Sequence, residues 1–391
     1  MIVFAASLSV LPAQAVDHAG ILLILCGLGI GCAAVYPYIS YLLAIRRLSV
    51  VASPELREFP SISVVVNAYM EGDLVRTRIE DILRADYPTG KITLYVINDG
   101  ADPTTSAAAK KALGNSPVKA VIIEPSQRFG KTKCQNLVLS RITDEIVIFT
   151  DADITTKPDT LTKLVARLQD TEIGAVCADL IPIGSSRRVA GLEEAYRSVY
   201  GKMCEHDSKI DSTYNFNGPL IAFKKSAVPH IEETIGADDA NLALACIANG
   251  YRAVYAGDAV AYELQPMSFS SQYYQKIRRA DGLVNSTRLY SHAICSQTGR
   301  PVFWRCVFPL RRWMLLYSPV LFVVSVVLLM VGLSLWSTTY GVALLLFVIF
   351  VLLFSVAKSD NLLSSFTLNQ IYLIIGLAKR KNIQLWDRIE K

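Results

Sequence analysis

Charged residues are scarce in this sequence, and two long stretches contain none. Lys, Arg, Asp and Glu make up 19% of the 391 residues, whereas 52% are hydrophobic. No charge occurs in residues 19–45, and none occurs between Arg312 and Lys358. This composition is too apolar for a purely soluble enzyme. The first stretch is long enough to span a bilayer once, and the second is long enough to cross it twice.

Paired cysteines are also absent. The eight cysteines contain no Cys-x-x-Cys pair and are scattered along the chain, at Cys26, Cys32, Cys134, Cys177, Cys204, Cys246, Cys295 and Cys306. Such scattering argues against a zinc site or a disulfide framework, and it is typical of small buried residues in a reducing compartment. His206 and His230 have no metal-ligand spacing with other residues, so neither receives a role.

Positive charges flank the apolar stretches. An arginine pair at 46–47 follows the first stretch, while Lys358 and a basic cluster at 379–381 follow the second. Cytoplasmic flanks of membrane spans are rich in Lys and Arg, so the chain is predicted to enter the cytoplasm at residue 46 and to return to it at Lys358 after two crossings, with residues 337–341 as an outer turn. The net charge is +5, and its position beside the apolar ends points to a membrane surface rather than to nucleic acid.

The predicted organisation is a multi-pass protein of the cell membrane. Residues 1–16 end in an Ala-Gln-Ala sequence that resembles a signal-peptide cleavage site, but no basic region precedes them, which favours a membrane span at 19–45. Residues 362–377 either lie along the membrane or pack on the helical bundle, and we favour the first. The predicted segments are an amino-terminal span and flank (1–50), a cytoplasmic domain (55–295), an interfacial segment (299–313), a transmembrane hairpin (314–357) and a cytoplasmic or interfacial tail (358–391).

Strand and helix patterns alternate between the apolar ends. β-Branched and aromatic runs predict strands at 62–66, 92–97, 119–123, 145–150, 174–180, 220–223 and 251–255. Helical patterns occur near 79–83, 104–113, 132–141, 158–169, 189–208, 241–248 and 272–288. Such alternation predicts βαβ units and a mostly parallel, Rossmann-like α/β sheet. In such sheets ligands bind at the carboxyl ends of the strands.

Two carboxylates end one of these strands. Asp151 and Asp153 follow the run at 145–150 at a spacing of two residues, so both side chains are predicted to point the same way. Hard oxygen ligands at the end of a strand suit Mg²⁺ or Mn²⁺ bound to a diphosphate. An isolated Asp-x-Asp is more often a solvated turn, so the interpretation depends on the motifs around it.

Seven short motifs occur in order over about 215 residues, each at a strand end or a helix start. They are Asn67-Ala68-Tyr69, Asn98-Asp99-Gly100, Gly130-Lys131, Thr150-Asp151-Ala152-Asp153, Asn217-Gly218, Asp238-Asp239 and Gln275-x-x-Arg278. With this set the chain resembles the membrane-bound family 2 glycosyltransferases of the GT-A fold, in particular the cellulose, chitin and hyaluronan synthase-like group. The Trp-containing ending at 385–391 is similar to the tail of many such enzymes.

The resemblance implies a nucleotide-sugar site that includes Asn67 and Tyr69. Asp99 would contact the nucleoside, although the family often has two acids where this chain has Asn98-Asp99. Lys131 would face the diphosphate as a point charge, unless it is a solvated loop lysine. The resemblance also implies that Asp151 and Asp153 hold the metal and the ribose, with Asp153 as the main metal ligand.

The pair Asp238-Asp239 matches the acidic pair that carries the general base in this family. A carboxylate that takes the acceptor proton and a metal that stabilises the departing nucleoside diphosphate suffice for a single in-line displacement that inverts the anomeric carbon. The resemblance assigns the base to Asp239. An alternative is that both acids merely cap the helix that begins near Ala240.

Gln275 and Arg278 match the family's Gln-x-x-Arg-Trp motif, but Arg279 stands in place of the tryptophan. The resemblance implies that Arg278 contacts the diphosphate or acceptor side. In processive enzymes the tryptophan is expected to stack on the acceptor sugar, so its replacement argues against long-chain polymerisation. A solvated or lipid-facing basic helix is the alternative for this stretch.

Together these features predict inverting, metal-dependent transfer of a sugar from a nucleotide-sugar, with UDP as the expected nucleotide, to a membrane lipid or a lipid-linked saccharide. The alternatives are a polyprenyl-phosphate glycosyltransferase and a catalytically silent membrane assembly subunit. A transporter is disfavoured, because the spans contain no ionisable residues. Three spans are too few to enclose a wide polysaccharide tunnel, so export would require a homo-oligomer or a membrane partner.

Overall fold

The apolar runs of the central region form the strands of one sheet. The computed structural model describes residues 13–114, 116–184, 187–233, 235–265, 269–292, 299–358 and 361–379. The strands in these ranges are β1 (Ile62–Ala68), β2 (Ile92–Asn98), β3 (Lys119–Ile123), β4 (Ile146–Asp151), β5 (Ile154–Thr156), β6 (Ile173–Ile183), β7 (Leu220–Lys224) and β8 (Arg252–Leu264). Over these residues they pair in the order β3-β2-β1-β4-β7-β6-β8-β5.

The sheet is mixed. Strands β3, β2, β1 and β4 run parallel, as do β6 and β8. Strand β7 is antiparallel to both of its neighbours, and β5 is antiparallel to β8. The predicted α/β class with a Rossmann-like sheet is therefore confirmed, and its parallel character is concentrated in the first half of the domain.

Strand β8 is longer than the sequence predicted, and β5 was not predicted. The sequence predicted a short strand at 251–255, which stops before Gly257-Asp258. Instead, the pairing with β6 shifts register between Ala178 and Asp179, and the strand continues to Leu264. The added length of β8 is what pairs with β5.

The helices of the described residues are α1 (Ala13–Ala44), α2 (Asp73–Leu83), α3 (Pro103–Leu113), α4 (Lys131–Leu139), α5 (Thr160–Leu168), α6 (Arg187–Ile210), α7 (Asp238–Ala248), α8 (Phe269–Tyr290), α9 (Phe303–Trp336), α10 (Thr338–Ala357) and α11 (Leu362–Ala378). Helix α9 includes two π-helical stretches, Phe303–Val307 and Trp313–Tyr317. The segment predicted as interfacial at 299–313 is thus continuous with the first helix of the hairpin.

Both faces of the sheet are buried. In β1, Val64 and Val66 pack in a core with the α2 residues Val75 and Ile79, while Val65 faces a second core on the other side. This explains why β1 reads as an unbroken apolar run rather than as an alternating one.

Helices α1, α9 and α10 are each long and apolar enough to cross a membrane. Small residues bring α1 and α9 together: a Cβ added to Gly20 would lie 3.2 Å from the carbonyl oxygen of Gly332, and the Ser325 hydroxyl donates to the Gly27 carbonyl at 2.7 Å. Close backbone approach through small residues is a common way for membrane helices to pack.

A buried ion pair joins the apolar helices to the domain that contains the sheet. Arg311 of α9 donates through Nε to Asp207 of α6 at 2.7 Å, and the Tyr41 hydroxyl of α1 donates to the same carboxylate at 2.7 Å. The three side chains are at most 3% exposed. A buried pair of this kind requires its partners in place, so it sets the orientation of the domain relative to helices α1 and α9.

The linker after α1 is also held to the domain. Asp258 accepts hydrogen bonds from the Ser53 amide at 2.7 Å and from the Ser53 hydroxyl at 2.9 Å. Arg167 donates to Asp258 at 2.9 Å and to the Val51 carbonyl at 2.6 Å. The linker therefore runs along the domain surface rather than as a free tether.

Helix α11 packs against α8. A Cβ added to Gly376 would lie 3.1 Å from the backbone nitrogen of Asp281, so the two backbones are in close contact. Whether α11 also lies along the membrane stays a prediction. The signal-peptide interpretation rests largely on residues 1–12 and the tail motif lies at 385–391, and both of these segments are outside the described residues.

Candidate active site

Polar residues gather where β1 and β4 end. The chain leaves β1 toward β2 on one side and returns to β4 on the other, which opens a crevice at the carboxyl ends of the strands. A cavity of about 380 Å³ lies at this position. Every side chain predicted from the sequence as a site residue lines it, namely Asn67, Tyr69, Asp99, Lys131, Asp151, Asp153, Asp238, Asp239, Gln275 and Arg278.

The end of β4 is held from behind by Arg78 of α2. This side chain is fully buried, pairs with Asp81 and donates from Nε to the Thr150 hydroxyl at 3.0 Å. Burial lowers the pKa of Arg78 to about 10, while Asp81 opposes the shift. Arg78 was not predicted from the sequence, although it is a charged residue on the apolar face of α2, next to Ile79 and Ile82.

Lys131 bridges the two walls of the cavity. Its ammonium nitrogen lies 2.9 Å from Oδ1 of Asp151 and 3.0 Å from Oδ2 of Asp238. Burial alone would lower the pKa of Lys131, but the two carboxylates raise it well above its usual value. The strand-end acid and the acidic pair of α7 therefore lie on either side of one cation. The alternative of a freely solvated loop lysine does not fit this contact.

Asp99 shapes the loop that leads to Lys131. Its carboxylate accepts the backbone N–H groups of Phe129 at 2.7 Å and Gly130 at 2.8 Å. Asn98 is fully buried and donates to the Asp102 carbonyl at 2.8 Å, so it closes its own turn instead of lining the cavity. Nucleoside binding by Asp99 stays a prediction, and loop positioning is the role that its contacts describe.

A stacked pair covers one end of the cavity. The Arg128 guanidinium lies 3.8 Å from the centroid of the Tyr69 ring, within cation–π distance. The neighbouring Asn67 donates from its amide to the Thr150 carbonyl at 3.2 Å. Arg128 was not singled out from the sequence, because its partner lies about 60 residues earlier in the chain and no local pattern marks the contact.

Asp239 lies at the start of α7, against the turn that precedes β7. Its Oδ1 accepts the Ala240 amide at 2.8 Å, and a Cβ added to Gly218 would lie 3.1 Å from its Oδ2. Burial and the adjacent Asp238 raise the pKa of Asp239 to about 6, against the opposing effects of the Ala240 amide, Lys131 and Arg279. The helix begins at Asp238 with Ala237 as its N-cap and no side-chain capping bond, so both acids lie in the first turn rather than at the cap.

Helix α8 forms another wall. Gln275 is 2% exposed, and the adjacent Arg278 also lines the cavity. Burial and then Arg279 lower the pKa of Arg278, whereas Asp238 and Asp151 raise it. Arg279, which occupies the tryptophan position of the motif, is held by Glu263 of β8, to which it donates at 2.8 Å.

The donor set for a metal is small. Within the described ranges no three His, Cys, Asp or Glu side chains come together as a metal cluster. Asp151 and Asp153 nevertheless provide hard oxygen ligands, and Mg²⁺ in phosphate sites commonly binds one or two carboxylates and takes its other ligands from the substrate and water. The residues present therefore fit a metal that arrives with a diphosphate.

Comparison with known proteins identifies the family of the central domain. Residues 63–230 match the model of Glycosyl transferase family 2. An N-acetylglucosaminyltransferase of Rhizobium meliloti (strain 1021) is 23% identical over 258 residues, which is 62% of this chain and 60% of the relative. A second N-acetylglucosaminyltransferase, from Bradyrhizobium diazoefficiens, is 24% identical over 246 residues, 59% of this chain and 50% of that relative. The chain thus matches about half to three fifths of the length of these relatives.

One solved structure matches nearly the whole chain. The mannosyltransferase PcManGT from Pyrobaculum calidifontis, in complex with GDP-Man and Mn²⁺, superposes with a TM-score of 0.73 at 25% identity. The match covers 93% of this chain and 98% of that protein. Residues 63–230 therefore match a family 2 glycosyltransferase domain, and the mixed α/β sheet together with this likeness shows the GT-A fold.

Proposed function

We propose that the protein is an inverting, metal-dependent glycosyltransferase that moves a sugar from a nucleotide-sugar to a membrane-associated acceptor. The observation that supports this most strongly is the arrangement of acids around Lys131. Asp151 and Asp238 both lie within 3.0 Å of its nitrogen, which puts the strand-end acids and the acidic pair of α7 on either side of one cavity.

Asp239 acts as the general base in this proposal. A pKa of about 6 leaves its carboxylate ionised at neutral pH and makes it a stronger base than an ordinary aspartate. It takes the proton of the acceptor hydroxyl while that oxygen bonds to the anomeric carbon. The bond from this carbon to the diphosphate breaks in the same step, so the configuration inverts and the nucleoside diphosphate leaves.

Asp151 and Asp153 would hold Mg²⁺ or Mn²⁺, which when bound stabilises the negative charge of the leaving diphosphate. Lys131 and Arg278 add cationic side chains to the same cavity. Asp99 keeps the 128–131 loop in shape, and Tyr69 with Arg128 provides a flat surface for the nucleoside. The Mn²⁺ in the complex of the mannosyltransferase supports the choice of metal.

Two nucleotide-sugar classes are supported by different relatives. UDP-sugars are the expectation from the sequence, and the similar N-acetylglucosaminyltransferases make N-acetylglucosamine the first sugar to test. The structural neighbour binds GDP-Man and matches far more of the chain. GDP-mannose is therefore the second candidate.

The acceptor is proposed to be a lipid or a lipid-linked saccharide. Three apolar helices flank the catalytic domain, and the Asp207–Arg311 pair and the 51–53 linker hold that domain against them. A soluble acceptor would not require such a fixed orientation. The basic flanks support a cytoplasmic position for the domain. Because Arg279 is bound to Glu263, we propose transfer of one or a few sugars rather than long-chain polymerisation.

The test uses the full chain purified in detergent with Mn²⁺ and membrane lipid extract. Release of nucleoside diphosphate would be measured over a panel containing UDP-N-acetylglucosamine and GDP-mannose. Turnover of one of them, lost with a chelator and in Asp153→Ala, is the expected result. Extraction of the labelled product into organic solvent would then separate a sugar-phospholipid from a polysaccharide. Turnover that persists in Asp153→Ala and with the chelator would contradict the metal assignment. No turnover of any nucleotide-sugar would favour a silent assembly subunit.

A further inference from the structure

A buried carboxylate that the proposed mechanism does not use lines the cavity. Glu263 of β8 is 2% exposed and binds arginines from two different helices. Its Oε2 accepts from Arg197 of α6 at 3.0 Å, and its Oε1 accepts from Arg279 of α8 at 2.8 Å. Gln265 also donates to Oε2, at 3.0 Å. One side chain thus ties together α6, α8 and the end of β8.

The contact with Arg197 continues to the base. Arg197 donates through its second terminal nitrogen to Oδ1 of Asn217 at 2.8 Å, and Asn217 donates to the Ala178 carbonyl at 3.1 Å. The next residue, Gly218, touches the Asp239 carboxylate so closely that an added Cβ would be 3.1 Å from it. The Arg197 contact therefore sets the position of the turn on which Asp239 rests.

The same end of β8 holds the metal-side acid. Glu263 lies opposite Ile154 in the antiparallel pairing with β5, and the Leu264 amide donates to the Asp153 carbonyl at 3.3 Å. Glu263 and its strand end thus contact α8 through Arg279, the 217–218 turn through Arg197, and the Asp153 backbone through Leu264. These are three walls of one cavity, and they come from segments far apart in the chain.

We propose that Glu263 is a positioning residue that keeps the Arg278–Arg279 segment and the turn under Asp239 in register with Asp153. The proposal rests on the sugar transfer proposed for this site. A buried carboxylate between two arginines has a defined geometry, because each group requires the other to offset its desolvation. Displacement of reacting groups by about 1 Å can cost on the order of 100-fold in rate.

The test compares Glu263→Gln with Asp211→Asn in the full chain. Asp211 is a matched control, since it is 3% exposed and binds Arg300 at 3.0 Å but does not line the cavity. The turnover number would be expressed per nucleoside-diphosphate binding site, which corrects for misfolded protein. Sugar transferred per diphosphate released would be measured alongside, because misplaced groups let water compete with the acceptor.

We expect Glu263→Gln to lower the turnover number per site by about 10- to 100-fold and to reduce the transfer-to-release ratio. Asp211→Asn should lower the melting temperature while leaving both quantities at the wild-type value. If Glu263→Gln also leaves both unchanged, or if the two variants lose activity equally, Glu263 is only structural and the proposal is overturned.

If Glu263→Gln does not fold, Arg279→Met provides the second variant. Arg279 is 34% exposed, and its replacement removes one of the two arginine contacts of Glu263 while leaving Arg197 in place. Arg279→Met should reproduce part of the loss, and the double variant should be no worse than Glu263→Gln alone, because the two residues act as one unit. Full additivity would count against a shared role. A wild-type protein that turns over no nucleotide-sugar would refute the proposed function and this inference with it, whereas an active wild type with a normal Glu263→Gln variant would refute the inference alone.

Discussion

Replacing Asp239 by Asn should abolish transfer and stabilise the fold. Asn keeps the size of the side chain and can still accept the Ala240 amide, but it cannot take a proton. Removing a general base costs about 10²- to 10⁴-fold in turnover. The stability gain arises because the carboxylate is held in a site that disfavours its charged form.

The size of that gain follows from the pKa. Burial and Asp238 raise the pKa of Asp239 from 3.8 to about 6. At 1.36 kcal/mol per unit this corresponds to at most about 3 kcal/mol, and we expect ~1–2 kcal/mol because the side chain is partly exposed. An acid whose pKa is raised on folding costs no stability while it is protonated in both states, and it costs the full amount once it is ionised in both. The cost is therefore absent below pH 3.8 and complete above about pH 6.

Thermal unfolding in detergent at several pH values tests this reasoning. The Asp239→Asn variant should melt a few degrees above the wild type at pH 7.5, and the difference should vanish toward pH 4. Asp258→Asn is a control of opposite sign: the Ser53 amide and Arg167 lower the pKa of Asp258 against its burial, so that variant should be less stable at neutral pH. If Asp239→Asn keeps a tenth of the activity, the base assignment is refuted. If it melts below the wild type at pH 7.5, the buried-charge argument is refuted.

Three further predictions concern the cavity and its support. Lys131→Met should move the acid limb of the pH–rate profile to higher pH, because Lys131 lowers the pKa of Asp239; an unmoved limb would contradict this. Gly218→Ala should lower turnover by about tenfold or more, whereas Gly90→Ala, which meets nothing within 4 Å, should be neutral in the same assay. Arg311→Met should destabilise the protein by about 3–5 kcal/mol in denaturant unfolding, because it leaves a buried carboxylate unpaired; a loss below about 1 kcal/mol would contradict that account.

Much of the site could be predicted because its polar residues lie where recognisable strands end or helices begin. Asp151 and Asp153 follow an apolar run that can only be a buried strand, and Asp238-Asp239 opens a helix of small apolar residues. In a parallel sheet the ends of such strands meet at one edge, so residues far apart in sequence converge there. The α/β class was predicted from the alternation of strand and helix patterns along the chain, and it is confirmed.

The supporting residues could not be predicted, because their partners are chosen by tertiary packing. Glu263 lies beyond a register shift in β8, where the apolar pattern is interrupted, and its partner Arg197 is 66 residues earlier. From the sequence Arg311 was predicted to lie at the membrane interface, but in the structure it binds Asp207 of α6. Periodicity reports which face of an element is apolar, but it carries no information on which buried charges pair.

Asp99 combines a local feature that the sequence indicates with a distant contact that it does not. The Asn98-Asp99-Gly100 sequence is typical of a turn, and Gly100 adopts a positive φ of 91°. The partners of Asp99 are backbone amides of a loop about 30 residues later, a contact that no local motif encodes.

The anomeric configuration of the product tests the central claim most directly. The enzyme would be run with the nucleotide-sugar that it accepts, and the new linkage would be assigned by proton NMR. A single displacement with Asp239 as base predicts inversion, so that an α-linked sugar nucleotide gives a β-linked product. Retention would exclude a single in-line displacement, and it would contradict the proposed role of Asp239 as the base.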